Sequence, residues 1–381
     1  MIRWNADQIA LGEGIGRWCE DLSSGHLEAD AQGTFPWDKW RLIQRSGILG
    51  LPFDEQWGGL GQDLLTTMYV LEQLGTGCRD GGLNFSVATH LVSVGVPLQR
   101  FGSPELRARH LPGICSGETI GAHAISEPGS GSDALAMTTT ATREDDGFVL
   151  RGGKSFVTNG PVADVFVVYA RTHPDGGPLG ITAFLVERDT PGLVVGPPVA
   201  TMGLRTAPLG ELHFDDCRIP ASAVIGRVGS GFLVLDHVMK WEILCSFVIT
   251  AGQMRYRLDR CVEYARERVQ FGRPIGSYQS VSHRIVDMGI GLDTARKWLY
   301  DTAVRLTAGE NVTRDIAACK LLASESNLSS ALAAVQVFGG SGYLTEYGLE
   351  KDVRDAVAGP IYSGTSEIQR NRIAAMLGLG T

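Results

Sequence analysis

The sequence predicts an α+β chain in three successive parts: a helical N-terminal domain, a central antiparallel β domain and a C-terminal four-helix bundle. Three observations carry this. Apolar residues recur at helical spacing through the first 120 residues. After Gly121 that spacing gives way to short β-rich runs separated by Gly, Asn, Asp and Pro. From Gly231 onward long helical patterns return. With 381 residues, 44% of them hydrophobic and 20% charged, the chain has the composition of a globular protein of two or three domains of about 150 residues each. The expected divisions are 1–120, 121–230 and 231–381.

Taking the elements in order, Leu64, Leu65, Met68, Leu71 and Leu74 form one buried helical face over 63–74. Gly75 and Gly77 are read as its stop. Gly58-Gly59-Leu60-Gly61 and Gly81-Gly82 are read as breaks between helices. Ser103-Pro104-Glu105 is a helix start, a capping Ser followed by Pro at the first helical position. In the middle of the chain the β-rich runs are 148–150, 154–158, 165–170, 181–186 and 211–214. Turns at 145–147, Gly152-Gly153, 159–161 and 175–178 separate them. Closely spaced strands with such turns indicate an antiparallel sheet or barrel rather than βαβ units. A very long helix is expected from Gly231 to about Glu267, then helices over about 281–308, 312–337 and 366–377, a bundle that also makes subunit contacts.

Composition excludes several functions. The net charge of −8 argues against a nucleic-acid binder, which carries a basic excess. No window approaches the roughly 20 apolar residues of a membrane span. The N-terminal residues show no apolar signal-peptide core, and seven single cysteines without CxxC pairs fit reduced thiols; the expected location is cytoplasmic. The eight histidines show no HxxxH or HExxH spacing, so no metal site is expected.

The 49 glycines nearly double the average usage of about 7%. No repeat accounts for them, so their dense clusters are where chemistry is sought. The loop 124–133, Ala-Ile-Ser-Glu-Pro-Gly-Ser-Gly-Ser-Asp, exposes backbone N–H groups and hydroxyls that suit a phosphate or a polar ring, and equally suits a surface loop. The run 154–160, Lys-Ser-Phe-Val-Thr-Asn-Gly, puts an aromatic and a Thr at a strand end. Glu267 to Ile275, containing Arg268, Gln270, Phe271 and Arg273, follows the long helix and offers guanidinium groups for a pyrophosphate or for the helix dipole. Gln336-Val337-Phe338-Gly339-Gly340 is a glycine turn after a helix. Ile361 to Arg370 is a loop entering the last helix, with Thr365 or Ser366 available as its cap.

In this order and at these separations, the motifs resemble the acyl-CoA dehydrogenase family over essentially the whole chain, with Met202-Gly203-Leu204-Arg205 and Arg218-Ile219-Pro220 as its β-domain connections. The resemblance implies noncovalent FAD, a homotetramer built as a dimer of dimers, and electron transfer to an electron-transfer flavoprotein. It implies flavin contacts from Ser126, Phe156 and Thr158, and from Thr365 and Glu367. Arg268, Gln270, Phe271, Gln336, Gly339 and Gly340 match positions that reach a neighbouring subunit's FAD. Ser132 matches a contact to the phosphopantetheine or nucleotide part of the thioester.

One departure matters. Many members carry the catalytic base as Glu within Ile-Tyr-Glu-Gly-Thr, where this chain has Ile361-Tyr362-Ser363-Gly364-Thr365. An unactivated hydroxyl does not take protons near neutrality. The isovaleryl-CoA dehydrogenase branch places the Glu on the long helix, and counting back from Phe271-Gly272 that position is Glu242. Its neighbours Trp241, Ile243, Leu244 and Cys245 are apolar, a setting that raises a carboxyl toward a base's working range. Ile243 stands where many relatives have Arg. The expected function is FAD-dependent α,β-dehydrogenation of an acyl thioester, on CoA or on a carrier protein, with Glu242 as the base and Ser363 as a pocket wall. The alternatives are a flavin oxidase or monooxygenase on the same fold and a non-catalytic thioester-binding member.

Overall fold

The computed structural model describes residues 2–380. The N-terminal part packs helices Ala6–Gly16, Trp37–Ser46, Leu64–Gly77, Gly81–Ala88 and Pro104–Ser116. Ser103 caps the last of these through Leu106 N–H (3.1 Å), and Asp63 caps Leu64–Gly77 through Thr66 N–H (2.7 Å). Between Gly81–Ala88 and Val96–Phe101 the chain widens into a π-helical segment, Thr89–Gly95.

Two glycine readings change here. The Leu64–Gly77 helix runs through Gly75, because Gly75 is a crossing point and not a stop. A Cβ at Gly75 would collide with the Ile249 carbonyl, and one at Gly252 with the Glu72 carbonyl. The helix Gly231–Glu267 therefore lies backbone to backbone against Leu64–Gly77. Gly81-Gly82 is the first turn of a helix capped by Asp80 through Leu83 N–H (3.0 Å), not a break.

The middle part is an eight-stranded sheet of β1 (Gly121–Ala124), β2 (Thr140–Glu144), β3 (Gly147–Thr158), β4 (Val165–Arg171), β5 (Ile181–Glu187), β6 (Leu193–Val195), β7 (Leu209–Pro220) and β8 (Val224–Ile225). The order is β6-β7-β3-β2-β4-β5-β8, with β1 on β4. Most pairs are antiparallel, but β1 joins β4 in parallel, Gly121 opposite Val165. Gly152-Gly153 is a bulge inside one strand, not a turn. The register against β7 shifts between Leu150 and Gly152, and Gly152 (φ +131°) lies where a Cβ would come within 2.8 Å of Thr139. The short strands β1, β2, β6 and β8 have no counterpart among the expected runs, and β7 is longer than the run 211–214.

The C-terminal part contains Gly231–Glu267, Gln279–Thr307, Thr313–Phe338 and Ser366–Met376, with the shorter Leu349–Val357 against them. The first of these has 37 residues, about 56 Å at 1.5 Å per residue. All seven cysteines are free and buried. Among the described residues no helix is long and apolar enough to cross a membrane.

The crossing sets a stability prediction. Gly75→Ala overpacks two backbones and should destabilise by roughly 1–3 kcal/mol. Gly14→Ala, in a helix with nothing within 4 Å of the new Cβ, should stabilise by about 0.4–1 kcal/mol. Thermal denaturation of the two variants should give shifts of opposite sign; equal shifts would show that the crossing tolerates a methyl group.

Candidate active site

The centre of the site lies where the long helix meets the Thr89–Gly95 segment and the last loop. Glu242 sits on the long helix beside buried Ile243, Leu244 and Cys245, and both its carboxylate oxygens accept hydrogen bonds. Ser93 Oγ donates to Oε2 at 2.8 Å, and Ser363 Oγ donates to Oε1.

Local structure explains each donor. Ser93 lies in the π-helical segment, whose wider turn shifts side-chain register relative to an α-helix; such segments recur at functional sites. Ser363 has φ +54° and is followed by Gly364 at φ +83°. The Gln369 amide donates to the carbonyls of Ser363 (3.0 Å) and Gly364 (3.3 Å), and Thr365 Oγ1 caps Ile368 N–H (3.3 Å). Tyr362 stacks on Phe247 (5.4 Å between ring centres) and tilts against Phe85 (4.8 Å). The turn thus anchors its neighbours and leaves the Ser363 hydroxyl directed at Glu242.

Two further groups stand close to this charge. His123 on β1 meets Tyr169 on β4 edge to face at 5.2 Å, and His123 Nε2 and the Tyr169 hydroxyl are buried without a hydrogen-bond partner among the described residues. Burial lowers the His123 imidazole, while the Glu242 charge opposes it. Burial, then the Glu242 charge, push the Tyr169 phenol up.

The cofactor face is built on the loop after β1. Glu127 is buried and accepts from Lys154 Nζ (2.8 Å), Thr138 N–H (2.6 Å) and Thr139 N–H (3.0 Å). Lys154 also donates to the Ile125 carbonyl at 3.1 Å, and Ser155 N–H donates to the Ser126 carbonyl at 2.9 Å. This clamp ties the Ser126 loop to the end of β3. There Phe156 is 70% exposed at φ +56°, Thr158 is half-buried and Ser155 Oγ is buried without a partner. An aromatic face turned outward beside backbone amides and hydroxyls fits a planar, hydrogen-bonding ring system, so the residues present fit a flavin. Ser132 is exposed farther along the same loop.

The remaining expected residues are elsewhere. Arg268 ends the long helix, about 39 Å along its axis from Glu242. Gln270 and Phe271 lie in the hairpin of Val269–Gln270 and Arg273–Pro274, with Phe271 94% exposed. Tyr264 stacks on Phe338 at 4.0 Å, bringing exposed Gln336, Gly339 and Gly340 to this same end. Thr365 shares a turn with Ser363, and Glu367 is exposed in the next one. Within one chain, Glu242, Ser363 and Ser93 come together, while the Arg268 and Gln336 groups occupy the opposite end of the helix. Ser93, His123, Tyr169 and the Glu127–Lys154 pair were not singled out as functional from the sequence. The sequence pointed to the Gly/Ser loop 124–133 but not to the clamp that holds it.

A three-part fold with a carboxylate on the long helix and an exposed ring-binding face is the architecture of a flavin-dependent acyl dehydrogenase. The chain belongs to the acyl-CoA dehydrogenase family: the family's N-terminal, middle and C-terminal domain models match residues 5–118, 122–217 and 229–378. It is 40% identical over 342 residues to L-prolyl-[peptidyl-carrier protein] dehydrogenase of Pseudomonas fluorescens, covering 90% of each chain. It is 36% identical to mitochondrial isovaleryl-CoA dehydrogenase of Solanum tuberosum, covering 95% of this chain and 88% of that one. Among solved structures it superposes on PigA with FAD and proline (TM-score 0.96, 38% identity, 100% and 99% coverage). It superposes equally on the prolyl acyl carrier protein oxidase AnaB (TM-score 0.96, 37% identity, 99% and 100% coverage).

The clamp generates a pH prediction. Burial alone would raise the Glu127 carboxyl, but the hydrogen bond and charge of Lys154 and the donors at Thr138 and Thr139 outweigh it and hold it down at about 2. Its stabilising contribution is therefore fully present above about pH 4.5 and is lost as pH falls toward 2. Lys154→Met leaves a buried carboxylate without its counter-charge and should cost about 3–5 kcal/mol, with acid unfolding beginning at higher pH. Urea unfolding across pH 2–7 checks both; a Lys154→Met protein with the wild-type acid profile would remove the clamp from the account.

Proposed function

We propose that this protein is a flavoenzyme that removes hydrogen from Cα and Cβ of an acyl or aminoacyl group held as a thioester on a carrier protein, with Glu242 as the base. The observation that carries this is the Glu242 carboxylate held by the hydroxyls of Ser93 and Ser363, where the long helix meets the π-helical segment and the last loop. The carrier-borne substrate rests on the identity shared with the Pseudomonas fluorescens enzyme.

Ser126, Phe156, Thr158, Thr365 and Glu367 hold FAD, and bound FAD supplies the acceptor for the β-hydrogen and its electron pair. Arg268, Gln270, Phe271, Gln336, Gly339 and Gly340 complete the FAD site of a second copy in a homotetramer, which explains an aromatic side chain exposed as fully as Phe271. Ser132 lies on the path of the phosphopantetheine arm. Ser93 and Ser363 fix the orientation of the Glu242 carboxylate, which takes the α-proton. The domains divide at 1–120, 121–230 and 231–381, the location is cytoplasmic, and an electron-transfer flavoprotein reoxidises the cofactor.

Anaerobic flavin bleaching with L-prolyl-carrier and acyl-CoA thioesters tests this reading. Glu242→Gln should keep the FAD spectrum and thermal stability while slowing bleaching by at least about 10²-fold. Ser363→Ala removes one of two donors to a charge, about 1.5 kcal/mol, and should slow it about tenfold. The reverse ranking would move the base elsewhere. Bleaching by no thioester would favour the non-catalytic reading. Fast reoxidation by oxygen without a protein acceptor would make this an oxidase, as AnaB is named.

Arg268→Ala should weaken FAD retention and assembly together, because cofactor and oligomer are linked. Gel filtration with flavin absorbance reads both; full FAD occupancy in a stable monomer would defeat the shared site.

A further inference from the structure

On the outer face of the N-terminal end of the long helix, an apolar patch adjoins a cluster of basic side chains. Leu179 is 72% exposed and Leu233 63% exposed, and Val228 and Phe232 are exposed beside them. They form one surface: a Cβ at Gly229 would lie 2.6 Å from the Leu179 carbonyl, and Gly229 N–H donates to Thr182 Oγ1 at 2.9 Å.

Arg100, Arg227, His237 and Lys240 border it. Gly226 N–H donates to the Phe101 carbonyl at 2.9 Å, and the Phe101 ring meets His237 edge to face at 5.4 Å. Those contacts bring Arg100 and Arg227 to the same side of the helix as His237. Burial, then the charges of Arg100 and Lys240, lower the His237 imidazole. Asp236, within the cluster, is occupied by Lys240 at 2.6 Å. Arg100 and Arg227 are exposed, and neither guanidinium has an ion-pair partner among the described residues. On a chain of net charge −8, a local excess of unpaired cations around exposed aliphatic side chains is an arrangement for an acidic protein partner.

We infer that this surface, with Leu233 and Val228 at its centre and Arg100 and Arg227 at its rim, docks an acidic carrier protein and positions its thioester arm for Glu242. The inference rests on the carrier-borne substrate proposed above. Leu233 and Glu242 belong to one continuous helix, with their Cα positions about 14 Å apart along its axis. Docking site and base are therefore held at a fixed separation, and a carrier seated at Leu233 delivers its flexible arm along the helix toward the base. The phosphodiester that joins the arm to the carrier is anionic and suits the guanidinium rim. A thioester of free pantetheine reaches the same base without using the surface.

The test separates docking from chemistry. Binding to the FAD-loaded enzyme is measured with a peptidyl carrier protein bearing an L-prolyl group through a hydrolysis-resistant amide. Turnover is measured with L-prolyl thioesters of the carrier and of pantetheine. The R100E/R227E variant should bind the carrier at least tenfold more weakly, and the dependence of binding on salt should flatten. KM for the carrier-borne thioester should rise by a similar factor, with kcat and the rate on the pantetheine thioester unchanged. Leu233→Asp should weaken carrier binding in the same way through the apolar centre.

Carrier binding by R100E/R227E and by Leu233→Asp equal to wild type overturns the docking surface, even if wild type turns the substrate over. Equal loss of rate on both thioesters would show a damaged active site and also overturns it. If wild type binds the carrier, the variants do not, and no thioester bleaches the flavin, the surface stands and the proposed chemistry fails.

Discussion

The contact between the backbones of Leu64–Gly77 and Gly231–Glu267 at Gly75 and Gly252 is the constraint from which the rest of the site follows. Only when both positions lack a Cβ can the long helix approach the N-terminal helices closely. That approach brings the helix within hydrogen-bonding range of the π-helical segment, and Ser93 then meets Glu242 from one side. The last loop, wedged between Phe85 and Phe247 through Tyr362, brings Ser363 from the other. Three distant stretches of chain converge on one carboxylate because two glycines let two helices touch.

The order of the three parts and the long C-terminal helices were legible because each rests on a long periodic pattern, where local spacing and final packing agree. Glycine was the recurrent source of misreading. Read from sequence, Gly75, Gly81 and Gly152 look like punctuation, yet Gly81 opens a helix capped by Asp80, and Gly75 and Gly152 serve close approaches that only packing sets: a helix crossing and a strand bulge. Strand β2 is short and polar, Thr140 to Glu144, and is defined by its ladder with β3 rather than by its own composition.

At the site, Glu242 was reachable through what Ser363 lacks, since a missing carboxylate at one position directs attention to the alternative one. The contact between the two residues was not legible, nor was Ser93. A π-helical turn depends on how a segment packs, and its sequence, Thr-His-Leu-Val-Ser-Val-Gly, reads as ordinary helix. The Glu127–Lys154 clamp was hidden for another reason: the partners are separated by the whole of β2 and half of β3, and only the sheet's register joins them.

The seven unpaired thiols have an experimental consequence. They are distributed through the architecture: Cys19, Cys78 and Cys115 among the N-terminal helices, Cys217 on β7, and Cys245, Cys261 and Cys319 in the C-terminal helices. Burial pushes their ionisation upward, Cys217 to about 11 and Cys261 to about 12, so in the native state they stay protonated and inaccessible to alkylating reagents. Each becomes reactive only when its own neighbourhood opens. Mass-resolved alkylation over time thus turns the chain into its own set of clocks, recording the order in which the three parts come apart.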